Sequence, residues 1–202
     1  DPNEECIGRE ADLNTLADAL LRSPRVVVVN GLGGIGKTTL AKTWLQAASA
    51  EYDHFAWIEL SAGDDRASSS FVETVAYHPQ LISALGLVLG EKESPAARFQ
   101  AVMLALRQLE GRNLLVVDNA GADLESKEIR ALLPLPPHWK VLVTSREKLN
   151  GYELIPLDRL APEHAAELFR KHYDGPCADA ELEALLTEVD YHTLTEIGRA
   201  HV

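Results

Sequence analysis

The sequence predicts an α/β fold of three layers, a parallel sheet between helices, followed by a truncated all-helical subdomain. Three observations carry this reading. Short valine-rich runs recur along the 202 residues, amphipathic helical patterns fall between them, and only helical patterns remain after residue 156. Short apolar runs with β-branched residues read as strands buried on both faces. Their alternation with helices implies a parallel sheet covered on both sides.

Taken in order, Leu13, Leu16, Ala17, Leu20 and Leu21 fall at helical spacing, and Ser23-Pro24 ends that helix. Four valines at 26–29 then form a strand that stops at Asn30-Gly31. Further strands are predicted at 55–60, 114–117, 140–144 and 153–156. The clearest helix spans 94–110, with Ser94 as N-cap, Pro95 at its first position and Gly111 just beyond. Phe99, Val102, Met103, Leu106 and Leu109 line its apolar face, so Met103 is a core residue. The serine-rich stretch 61–70, with Asp64 and Asp65, reads as a solvated loop. Beyond residue 156, Pro162 opens a helix over 163–173, a turn follows at 174–176, and Leu182, Leu185, Leu186 and Val189 mark one more helix. The predicted units are 1–156 and 157–202.

Lys plus Arg number 19 against 31 for Asp plus Glu, a net charge of −12. Such acidity opposes direct nucleic-acid binding by this segment, which is driven by clustered Lys and Arg. No apolar run reaches the roughly 18 residues a membrane-spanning helix needs. Cys6 and Cys177 stand far apart, which excludes a disulfide framework and leaves a structural zinc site unsupported. Two reduced thiols and no signal segment suit a cytoplasmic protein.

The chemistry centres on residues 31–38, Gly-Leu-Gly-Gly-Ile-Gly-Lys-Thr, which fit the P-loop pattern G-x-x-x-x-G-K-[ST]. The motif follows a strand and opens a helix through Leu40, Ala41, Trp44 and Leu45, the context a phosphate cradle requires. Glycines let several N–H groups converge on one anion, and the helix N-terminus adds partial positive charge. The expected nucleotide contacts are Gly31, Gly33, Gly34, Ile35, Gly36, Lys37, Thr38 and Thr39. Lys37 is expected on the β- and γ-phosphates and the Thr38 hydroxyl on Mg²⁺. Trp44, one helical turn on, is assigned to the core.

A P-loop needs an acidic metal partner at the end of a neighbouring strand. Asp118, after the apolar run 114–117, supplies it. Thr38 and Asp118 are therefore the expected metal ligands. Asn119 stands where many P-loop ATPases carry a carboxylate; an amide can hydrogen-bond the attacking water but cannot take its proton. Arg146, in the Thr144-Ser145-Arg146 cluster at a strand tip, is placed to meet the γ-phosphate. Lys37, Asp118, Asn119 and Arg146 form the expected catalytic set, with nucleotide binding better supported than fast hydrolysis.

With these residues in place, the chain resembles the NB-ARC family of STAND-type signalling NTPases, found in plant immune receptors, apoptosis adaptors and bacterial sensors. The segment Ile7-Gly8-Arg9-Glu10 is similar to the family's opening motif, whose backbone lines the adenine pocket. Residues 53–58 resemble its second-strand motif, 133–136 leading into 141–146 its sensor region, and 157–169 its linker and first helix of the helical subdomain. Two departures stand out. The family often has paired acids where this chain has Asp118-Asn119. Its Gly-Leu-Pro-Leu motif aligns with Tyr191-His192-Thr193-Leu194, so Thr193 replaces the nucleotide-contacting proline and His192 is a candidate cap of the site.

Residues 197–202, with Glu196 before them, match the translation of a common short-read sequencing adapter, and position 1 is not Met. The chain thus reads as part of a larger protein with a foreign ending. The resemblance implies an ATP/ADP-binding, Mg²⁺-dependent switch in signal transduction that self-associates when ATP-bound. The alternatives are an AAA+-type ATPase with continuous turnover, the switch domain of a transcription regulator, and a P-loop fold without nucleotide binding.

Overall fold

A computed structural model describes residues 6–22, 26–60, 70–134, 137–173 and 175–191. Among them one sheet contains β1 (Val27–Asn30), β2 (His54–Glu59), β3 (Asn113–Ala120), β4 (Trp139–Ser145) and β5 (Glu153–Pro156). All pairings are parallel, in the order β2-β3-β4-β1-β5. The α/β class expected from the sequence is the class observed. β4 is inserted between β1 and β3, the sheet order of the additional-strand P-loop class, so Asp118 lies on the strand beyond β1's neighbour. The parallel register still brings all three strand tips to one edge, with Asn30 beside Ser145 and Val117 beside Val143.

Alternate residues of the strands feed opposite layers, as period-two side-chain geometry requires. Val27, Val29, Leu114, Val116 and Leu142 pack against α1 (Glu10–Arg22) and α2 (Lys37–Ala48) through Leu16, Leu20, Leu40 and Trp44. Val28, Leu115, Val117, Val141 and Val143 face the other layer. That layer contains α3 (Phe71–Ala76), α4 (Pro79–Ala84), α5 (Pro95–Arg107) and α6 (Lys127–Leu132). Trp44 is buried and meets Tyr52 edge-on at 6.2 Å between ring centres. Met103 is fully buried on α5, as its place in the apolar stripe implies.

Helix α5 begins as predicted, with the Ser94 hydroxyl accepting from the Ala97 amide at 3.3 Å and Pro95 at the first position. It ends at Arg107, short of residue 110, because the chain must turn to enter β3 at Asn113. Leu21 lies outside the buried stripe of α1, at 66% exposed, while Leu16 and Leu20 carry the contact.

After β5, α7 (Pro162–His172) and α8 (Asp179–Glu188) share a separate apolar cluster of Leu160, Ala165, Leu168, Phe169, Leu182 and Leu186. Ile7 packs against it from the start of the described chain. Both cysteines are free, Cys6 buried and Cys177 half-buried. Burial raises the Cys6 thiol above its ordinary pKa. Among the described residues, no helix is long and apolar enough to cross a membrane.

Candidate functional site

The site forms where the tips of β1, β3 and β4 meet the start of α2. Gly31 leaves β1 with its amide bonded to the Ser145 carbonyl at 3.2 Å. A Cβ at this position would lie 2.6 Å from the Leu157 backbone oxygen, so only glycine permits the approach. Gly34 lies in the same loop, with Leu32 exposed and Ile35 buried. Gly36 closes the loop with φ 101°, a left-handed conformation that side chains resist, and its carbonyl accepts from the Leu40 amide at 2.8 Å to start α2. Lys37, Thr38 and Thr39 are therefore the first three residues of a helix, whose leading amides have no intrahelical partner.

Lys37 is 7% exposed, and its ammonium donates to the carbonyls of Gly31 at 2.9 Å and Leu32 at 2.6 Å. Burial lowers its pKa, the Arg146 guanidinium lowers it further, and Asp118 opposes both. Arg146 extends from the tip of β4, exposed to solvent, with its guanidinium carbon 3.3 Å from where a Cβ on Gly33 would stand. Two cationic side chains thus converge on one glycine loop.

Asp118 is 2% exposed. The Thr38 hydroxyl lies 2.9 and 3.1 Å from its two oxygens and donates to the carboxylate. The Thr144 hydroxyl donates to Oδ1 and accepts the Asn119 amide at 2.9 Å. Asn119 has φ 61° and sits at a register shift in the β3–β4 pairing. Its side-chain nitrogen donates to the Leu60 carbonyl at 3.0 Å, so one of its two N–H groups is committed to β2.

Thr38 and Asp118 offer hard oxygens side by side, which suits Mg²⁺. No cluster of three or more metal-ligating His, Cys, Asp or Glu exists among the described residues. Two protein oxygens fit an ion completed by phosphate and water.

The opening segment reaches the same place. Arg9 is 7% exposed; one guanidinium nitrogen donates to the Ile35 carbonyl at 3.2 Å and another pairs with Asp12 at 3.1 Å. Gly8 packs under His164 of α7. Ile7, Gly8 and His164 line a cleft of about 620 Å³ together with Glu10 and Glu167. A second cleft, also about 620 Å³, runs along Gly31, Ile35, Arg146, Leu157 and Arg159. His192 and Thr193 lie outside the described residues, as do 61–69 and 197–202. Sequence reasoning named the Thr144 cluster without foreseeing that this hydroxyl would join Asp118 to the Asn119 backbone. The signal was a hydroxyl residue ending an otherwise apolar strand.

The sheet order and the loop define a P-loop NTPase fold. Solved structures of this kind are similar in fold alone. The Walker-type ATPase of Pyrococcus abyssi matches with a TM-score of 0.60 at 15% identity, covering 98% of this chain and 67% of its own. Cdc6p from Pyrobaculum aerophilum gives 0.61 at 13%, covering 94% and 59%. Within that class, the NB-ARC domain family matches residues 9–173, and the chain belongs to this family. Among its relatives are the Regulatory protein AfsR of Streptomyces griseus, 33% identical over 90% of the chain, and the Probable disease resistance RPP8-like protein 2 of Arabidopsis thaliana, 28% identical over 83%. The chain spans 19% of the length of each of these relatives.

Proposed function

We propose that this chain is the ATP/ADP-binding switch module of a larger signalling protein. The observation that carries it is the convergence of Lys37, Thr38, Asp118 and Arg146 on one glycine loop. The loop amides and Lys37 would hold the β-phosphate, and Arg146 would meet a terminal phosphate and so distinguish triphosphate from diphosphate. Thr38 and Asp118 would hold Mg²⁺, which when bound neutralises phosphate charge. Ile7, Gly8 and Arg9 would border the base, with His192 and Thr193 as further contacts from the C-terminal side.

The proposed division is a nucleotide-binding unit to residue 156 and a helical unit from 157. The separate apolar cluster of α7 and α8 supports it. Nucleotide between the two units would keep them closed, and exchange of ADP for ATP would shift the population toward an open, self-associating form. Asn119 favours a switch over a motor, because no carboxylate follows Asp118 to deprotonate water. Cytoplasmic residence accords with the free thiols, and the net charge of −12 opposes direct nucleic-acid contact.

A transcription-regulator context is the second reading; the AfsR relatives, 33% and 32% identical, carry the name of regulatory proteins, which accords with a regulatory role. It leaves the switch itself unchanged. Steady-state hydrolysis tests the switch: turnover far below the roughly 10 s⁻¹ of a median enzyme, with ADP retained, is expected. Sustained turnover near that rate would support a continuously cycling ATPase instead.

A further inference from the structure

We propose that Thr144 is the positioning residue of the metal site: its hydroxyl fixes which oxygen of Asp118 is left for the ion. The inference rests on the reading of Thr38 and Asp118 as the Mg²⁺ ligands. A threonine hydroxyl has one proton, and its direction is normally free to rotate. Here it is not free. The Asn119 amide donates to Thr144 Oγ1 at 2.9 Å, so the hydroxyl proton must point elsewhere, and it points to Asp118 Oδ1. Thr144 is 1% exposed, so water does not compete for this geometry.

The backbone makes the arrangement possible. Asn119 adopts φ 61°, and pairing between β3 and β4 shifts register between Val117 and Ala120. That bulge turns the Asn119 amide toward β4 while the Asp118 carbonyl accepts the Leu60 amide at 2.9 Å. The Asn119 side chain returns to the Leu60 carbonyl at 3.0 Å, so residues 118 and 119 are held from β2 and β4 together. Oδ1 of Asp118 then receives protons from both Thr144 and Thr38, whereas Oδ2 receives only the longer contact from Thr38, at 3.1 Å. Oδ2 is the oxygen left to face an ion or its water. Asn119 serves this positioning through its backbone, whatever its amide does toward a water.

Partners that orient a ligand from behind typically change metal affinity about 10–100-fold when removed. The test is a Mn²⁺ titration followed by electron paramagnetic resonance on the nucleotide-loaded chain, with nucleotide affinity in EDTA measured alongside. Thr144→Val, which keeps the shape and removes the hydroxyl, is expected to weaken Mn²⁺ binding about 10–100-fold and leave metal-free nucleotide affinity unchanged. Thr144→Ser restores the hydroxyl and is expected to restore metal affinity; a merely structural role would not produce that rescue in metal binding alone. Equal Mn²⁺ affinity in Thr144→Val and wild type overturns the proposal while leaving the nucleotide reading intact. If Thr144→Val does not fold, Thr144→Ser decides, since loss of metal binding despite its hydroxyl also overturns the proposal. Failure of the wild type to bind nucleotide either with Mg²⁺ or in EDTA overturns the P-loop reading and this inference with it.

Discussion

Replacing Arg9 with methionine tests how the segment before α1 is tied to the glycine loop. Methionine keeps the aliphatic stem packed and removes the guanidinium alone. Two interactions go: the bond to the Ile35 carbonyl at 3.2 Å and the pair with Asp12 at 3.1 Å. A bond from a charged donor contributes about 1.5–3 kcal/mol. The Asp12 side chain is 30% exposed, so its share is discounted to about 0.5 kcal/mol. The sum, about 2–3.5 kcal/mol, lowers the melting temperature by about 4–14 °C at about 2–4 °C per kcal/mol for a chain of this size. Thermal unfolding reads it directly. Asp12→Asn, which removes the ion pair and leaves the Ile35 contact, is expected to cost only about 1–2 °C. Weaker ADP binding in Arg9→Met is expected as well, because the carbonyl at the crown of the loop loses its anchor. An Arg9→Met protein melting with the wild type, or an Asp12→Asn protein falling equally far, would refute the assignment.

Lys37 gives a pH prediction. Its folded pKa lies below the ordinary value of 10.5, chiefly through burial. The unfolded chain therefore binds more protons between the two values, so stability without ligand rises with pH across that window. Phosphate adds negative charge beside the ammonium and raises its pKa, so nucleotide affinity falls as pH climbs through the same window. Urea midpoints and calorimetric proton uptake check both slopes, and Lys37→Met should remove them. Gly31→Ala is expected to destabilise by about 1–3 kcal/mol in urea, because the new Cβ meets a backbone oxygen of Leu157 at 2.6 Å. The Leu157 amide is bonded to the Asn30 carbonyl at 2.7 Å, which ties this segment to the end of β1. An unchanged midpoint would show the approach to be looser than these distances.

The long apolar strands and the P-loop were legible because burial on both faces leaves unbroken runs, and because a phosphate cradle constrains four positions at once. Three helices were not legible. Helices α3, α4 and α6 have six residues each, too few for a helical stripe to repeat. Their signals are local caps, in which Ser70, His78 and Ser126 accept amides three residues on. The apolar run before Asp118 stops at Val117 in the sequence, since polar residues follow. Tertiary hydrogen bonds from Leu60 and Thr144 carry the pairing on to Ala120 through the bulge. Asp118 and Lys37 could be named from spacing, whereas Arg9 reaching Ile35 across 26 positions depends on how α1 packs.

Calorimetric titration of the chain with ADP, beside Lys37→Ala, bears most directly on the claim that this loop holds a nucleotide. One ADP per chain is expected for the wild type. Loss of a charge-assisted contact predicts binding about 10–100-fold weaker in the variant. Equal affinity in the two proteins, or no binding by the wild type, would contradict it.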